Sequence, residues 1–128
     1  MCSIEYLRRD VGFRYMDSPS LCDKNRLSFN VSRGEFTDIV YAISIDGKVK
    51  YIGKTNDFGV RVHTYRNAKY WKNAWISNKR KTKYLETAVR GGKQVEFYCL
   101  ECESHEQVEK ELIEKINPPW NKIYCNPY

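Results

Sequence analysis

The chain has 128 residues, of which 41% are hydrophobic, 30% charged and 14% aromatic; no apolar run approaches the roughly 18 residues of a bilayer-spanning helix, so a membrane helix bundle is excluded. The N-terminal MCSIEYLRRD lacks the apolar core of a secretory leader, and five cysteines scattered along the chain make a disulfide framework a poor reading, so reduced thiols and a cytoplasmic setting are expected. The net charge of +6 is concentrated in residues 61–93, which carry 10 Lys and Arg against 1 Asp or Glu.

Residues 1–36 contain turn-forming clusters such as SPS, DKN and SRG around short segments such as LSFNV, which predicts one or two short strands in an extension packed on or beside the core of one domain spanning 1–128. Asn30-Val31-Ser32 matches a glycosylation acceptor, but without a secretory leader the match is read as chance.

Residues 37–54 read as a β-hairpin turning at Asp46-Gly47. A two-residue turn there pairs Ile45 with Lys48 and sets Lys50 into an otherwise apolar face. A three-residue loop with Gly47 left-handed instead pairs Ile43 with Val49 and Tyr41 with Tyr51, leaving one face Ile39, Tyr41 and Ile43 against Gly53, Tyr51 and Val49. A slip of one residue exchanges the two faces of a strand, so the cleaner apolar match favours the bulged register and makes Tyr41 and Tyr51 cross-strand neighbours.

Asn56 then stands as an N-cap candidate for a helix on which Arg61 and Tyr65 share a face, with His63 off that face. A second helix is predicted from about Thr82 to Arg90, stopped by Gly91-Gly92, and a strand from Gln94 to Glu101. Between them lies the basic block, in which Arg66, Lys69, Lys72, Lys79, Arg80, Lys81 and Lys83 are interspersed with Tyr65, Tyr70, Trp71, Trp75 and Tyr84. Such a composition suits a surface that follows a phosphate backbone and stacks on bases. It also suits a solvated helix with aromatic core positions.

The last helix is bounded by a capping-box pattern at Ser104–Gln107 and by Asn117-Pro118-Pro119. At about 100° per residue, Val108, Leu112, Ile116 and Ile113 span an arc of about 140°, and Glu109 falls inside it while the other helix charges fall outside. A carboxylate on the buried side of a helix requires a cation. Either a salt bridge, for example to Arg61, or a bound metal ion satisfies that requirement.

Taken together, Tyr41, Tyr51-Ile52-Gly53-Lys54, Arg61 eight residues after Gly53, Glu109, and Asn121 twelve residues after Glu109 in NPPWN resemble the motif set of the GIY-YIG nuclease family over residues 38–121. The KTKYLETAVRGGKQVEFY and NPPWN segments look most like its stand-alone phage endonuclease II branch. One departure is that Asp38-Ile39-Val40-Tyr41 keeps the tyrosine of the first motif and lacks its glycine.

The resemblance implies an α+β, sandwich-like fold with a small three-stranded antiparallel sheet flanked by helices, and cleavage of DNA phosphodiesters with one divalent cation, Mg2+ or Mn2+, held by Glu109. It further implies that Tyr41 orients or deprotonates the attacking water, that Arg61 holds the phosphate oxygens, and that Tyr51 joins the same cluster. Gly53 would permit close approach of backbone, Asn121 would fix the helix end near Glu109, and Lys54, His63 and Tyr65 would give support. Cutting both strands of a duplex needs two sites or two encounters, so a homodimer or higher oligomer is expected. The alternative is a nucleic-acid-binding module that retains the fold without catalysis.

Cys99-x-x-Cys102-x-x-His105, with Cys125 as a further ligand, resembles part of a zinc site. Because the cysteines end a strand, the histidine starts a helix and no second close pair exists, ordinary thiols are the expected reading.

Overall fold

The computed structural model describes residues 2–121. A short helical turn α1 (Ile4–Tyr6) continues as a single wide π-type turn, Leu7–Val11, and leads to β1 (Arg14–Asp17), β2 (Ser20–Leu21) and β3 (Leu27–Ser28). There follow β4 (Thr37–Ile45), β5 (Lys48–Asp57), α2 (Phe58–Asn67), α3 (Ile76–Arg90), β6 (Val95–Glu101) and α4 (His105–Ile116). The predicted three strands form an antiparallel core in the order β6-β4-β5, and β1 adds a fourth beside β6; β2 and β3 pair as a separate ribbon.

Every central strand is buried on both faces. Ile39, Tyr41, Ile43, Tyr51 and Phe97 face Phe58 and Tyr65 of α2 and Leu85 and Ala88 of α3. Val40, Ala42, Val49, Ile52 and Tyr98 face Ile4 and Leu7 of the N-terminal turns and Leu112 of α4. Two apolar layers, the one under α2 and α3 rich in aromatic rings, therefore sandwich the sheet, and residues 2–36 contribute to both through Leu7, Phe13, Leu27 and Phe36.

The hairpin departs from the expected register in an instructive way. Asp46 (φ 52°) and Gly47 (φ 81°) are both left-handed, which makes the turn the two-residue type suited to strand twist, and Ile45 pairs with Lys48. The register then shifts between Ile43 and Ser44, with Lys50 as the extra residue, so that Ile43 pairs with Tyr51 and Tyr41 with Gly53. Tyr41 therefore lies opposite Gly53 rather than Tyr51, two residues from expectation. An even slip preserves the face, so the two tyrosines still share one side, whereas Val49 moves to the other.

Two helix starts differ from expectation, and one cap lacks its expected hydrogen bond. The N-cap of α2 is Asp57, not Asn56; its carboxylate accepts from the Gly59 amide at 3.0 Å and from Gly34 N at 3.1 and 3.0 Å. Bonding the Gly34 amide as well ties the N-terminal extension to the helix start. α3 begins at Ile76, six residues before the expected Thr82, because basic residues replace a visible apolar stripe in its first turns. Ser104 occupies the N-cap of α4 without a side-chain capping hydrogen bond.

Candidate active site

The strand order leaves β5 at an edge of the sheet, and the conspicuous residues gather around it. Tyr41 is 2% exposed. Its hydroxyl shares a 2.6 Å hydrogen bond with that of Tyr65, one turn beyond Arg61 on α2. Its ring lies 6.1 Å from that of Tyr51 and 5.2 Å from that of Phe58, centroid to centroid.

Gly53 lets these rings close together. A Cβ there would stand 2.7 Å from both Cζ and Oη of Tyr41 and 2.8 Å from Cε2 of Tyr51, distances that no buried aromatic cluster accommodates without moving. The glycine missing from the first motif has no such role here: Ile39 runs as ordinary strand, and its side chain is fully buried in the core.

Burial, reinforced by Tyr41 and Tyr51, pushes the Tyr65 phenol well above the ordinary range, while Arg61 opposes that shift.

Lys81 is a departure from the surface role expected of it. It is 5% exposed, its ammonium stands 4.1 Å from the centre of the Tyr51 ring, and burial, with Arg61 nearby, lowers its pKa to about 8. A lysine within a basic run reads as solvated, so no local pattern distinguished it from its neighbours.

The cleft beside β5 is lined by Lys54, Thr55, Arg61, His105 and Glu106, bringing α2 from one face of the sheet and α4 from the other to the same edge. Lys54 donates to Glu106 at 2.8 Å, and this pairing lowers the Glu106 pKa. Glu109, one turn further along α4, is half-buried. Burial raises its pKa, while Lys54, His105 and Arg61 pull in the opposite direction. Among the described residues its carboxylate makes neither a hydrogen bond nor a salt bridge, so the structure does not carry the Arg61 salt bridge that is one of the two readings of this residue.

Asn121 acts on the strand rather than on the end of α4. Its Oδ1 accepts from Ile52 N and its Nδ2 donates to Ile52 O, both at 2.9 Å. Both groups of one strand residue point the same way, so the amide closes the outer side of β5 between Tyr51 and Gly53 and supplies what a further strand would.

His63 does not join the cluster. It is exposed, its ring lies 5.4 Å from that of Trp71, and it is absent from the cleft lining. Lys69, itself exposed, is ion-paired with Glu86, 3.0 Å away and 1% exposed, which also accepts from the Tyr70 hydroxyl at 2.8 Å. The sole acidic residue of the basic block is thus consumed in pinning the segment before α3. Arg66, Lys72 and Lys83 are exposed, and Lys79 and Arg80 partly so.

Cys99 faces the α2 and α3 layer and Cys102 the α4 layer, so the two thiols cannot share one ion with His105; burial lifts the Cys99 pKa to about 11. Cys125 lies outside the described residues.

No family model matches the chain. Endonuclease II of Enterobacteria phage T4 is 31% identical over 98 residues, covering 66% of this chain and 71% of that protein. A solved structure of a bacteriophage T4 EndoII mutant superposes with a TM-score of 0.81 at 24% identity, covering 94% of this chain and 99% of that one. The restriction endonuclease HPY188I, solved in complex with product DNA, superposes with a TM-score of 0.56 at 18% identity, covering 98% of this chain and 80% of that one.

Proposed function

Because the chain belongs to the GIY-YIG nuclease family, in the endonuclease II branch, and is by that membership a DNA endonuclease, we propose that it hydrolyses phosphodiester bonds at the edge of β5 with the help of a divalent cation. The observation that carries this reading is that α2 and α4 bring Arg61, His105 and Glu106 to one cleft beside Lys54, with the buried Tyr41–Tyr65 hydroxyl pair one turn beyond Arg61 and the half-buried Glu109, within the electrostatic reach of Lys54 and Arg61, one turn beyond Glu106.

In this reading Tyr41 acts as the phenolate, whose Oη takes the proton of the attacking water and becomes the neutral hydroxyl. Before that transfer Tyr65 keeps its own proton and donates to the Tyr41 phenolate oxygen, and the cations of Arg61 and Lys81 stabilise its negative charge. Arg61 holds the non-bridging phosphate oxygens, for which its planar fork is suited. Gly53 allows Tyr41 and Tyr51 to pack closely, and Asn121 fixes the strand that carries Tyr51, Gly53 and Lys54. Arg66, Lys72, Lys79, Arg80 and Lys83 serve as phosphate contacts.

The donor set fits a hard divalent cation. Mg2+ or Mn2+ takes oxygen ligands, needs only one or two carboxylates when phosphate and water supply the rest, and satisfies the carboxylate of Glu109. When bound, such an ion supplies Lewis-acid stabilisation of the phosphate charge. Cleavage of both strands is assigned to a homodimer or higher oligomer.

Supercoiled plasmid incubated with the protein tests the proposal. Nicked or linear product is expected with Mg2+, none with EDTA, and none from Glu109→Ala, which still retards the plasmid in a gel. If wild type and Glu109→Ala both bind and both leave the plasmid intact, the chain is a binding module and the catalytic assignment fails.

A further inference from the structure

Beside the cleft, and sharing Arg61 with it, lies a groove of about 600 Å³ lined also by Trp71, Lys72, Trp75 and Asn78. Trp75 is 79% exposed and Trp71 39%. Both are held on defined backbone: the Trp75 carbonyl accepts from Lys79 N at 3.0 Å in the first turn of α3, and Trp71 N donates to Ala68 O at 3.2 Å. The Trp71 ring is backed by His63. Tyr70 also lines the groove and is 42% exposed, but its hydroxyl is engaged by Glu86 and its ring by the Arg26 guanidinium, 4.0 Å from the ring centre.

We infer that Trp75, with Trp71, stacks on a nucleobase unstacked from the DNA beside the scissile phosphate, so that the enzyme favours sites where bases leave the stack readily. This rests on the nuclease reading above and adds a determinant of which DNA is chosen. Charge decides the occupant: among the described residues the groove lining includes Arg61 and Lys72 and no carboxylate, which suits a π-face attached to phosphate. A second copy of the chain would bring the same cations against these, a like-charge contact that costs energy. The shared Arg61 sets the position, since a phosphate on its guanidinium leaves the adjoining nucleotide facing the groove.

The test uses Glu109→Ala protein with three DNAs: single-stranded, mismatched duplex and matched duplex, read by intrinsic tryptophan fluorescence and by binding titration. Base stacking on an exposed indole quenches its emission. Replacing Trp75 by alanine in this background is expected to weaken binding to single-stranded and mismatched DNA by roughly 5- to 150-fold, the range for losing one base–aromatic stack. Trp75→Phe should restore most of it, and the matched duplex should be less affected. Affinity for single-stranded and mismatched DNA unchanged within about twofold overturns the inference. So does a change in sedimentation mass without a change in DNA binding, which would make the face a contact between copies. Plasmid cleavage by the protein with Glu109 intact is measured separately, so failure of the stacking reading and failure of the nuclease reading remain distinct results.

Discussion

The side-chain amide of Asn121 closes both outward backbone groups of Ile52, donating to its carbonyl and accepting from its N–H at 2.9 Å each. Truncation in Asn121→Ala leaves two buried polar groups without partners, each costing about 1–3 kcal/mol. A stability loss of roughly 2–5 kcal/mol is expected in urea unfolding, together with loss of cleavage, because the strand carrying Tyr51 and Gly53 loosens. An unchanged urea midpoint would show that the clamp does not hold β5.

Gly53→Ala places a methyl group 2.7 Å from the Tyr41 hydroxyl, and Phe58 and Tyr65 leave that ring nowhere to swing. Overpacking of this kind costs about 1–3 kcal/mol, so the protein still folds. Displacing Tyr41 from Tyr65 by about an ångström is expected to lower cleavage by about 10²-fold. Turnover measured beside a thermal melt separates the two effects; full activity would mean that the tyrosine pair does not set the rate.

The 2.6 Å bond between Tyr41 and Tyr65 makes Tyr65→Phe a conservative probe of the proton's location. Removing the donor disfavours charge on Tyr41, so the rising limb of the pH–rate profile should move to higher pH. The rate at neutral pH should fall about 2- to 10-fold, the worth of one hydrogen bond. A profile identical to wild type would assign the base function elsewhere.

Lys81 links stability to pH in a direction opposite to that of a paired lysine. Its pKa falls from 10.5 to about 8 on folding, so between those values the unfolded chain binds the proton and the folded chain does not. Stability therefore rises with pH through that window, and the full penalty applies below about 8. Stabilisation of the ammonium by the Tyr51 ring offsets part of it. Lys81→Met is expected to stabilise the protein by roughly 1–3 kcal/mol at pH 7, to flatten the stability curve from pH 8 towards pH 10 and to reduce cleavage. Denaturant titrations at several pH values check this; a curve of unchanged slope would mean that Lys81 keeps its proton when folded.

Legible in the sequence were the place of the hairpin at Asp46-Gly47, the limits of the last helix, the common face of Tyr41 and Tyr51, and the misplaced Glu109. Each follows from a local period or a turn residue, which the chain displays without reference to distant parts. Three-dimensional packing settled that Tyr41 meets Gly53 across the strands, because the position of the bulge, here at Lys50, is not marked by any turn residue. It also decided that Lys81, one cation among many in a basic run, turns inward to the tyrosines, and that Asn121 completes an edge strand far away in sequence. Those outcomes depend on which surfaces α2, α3 and α4 bury against the sheet, a packing choice that no window of neighbouring residues contains.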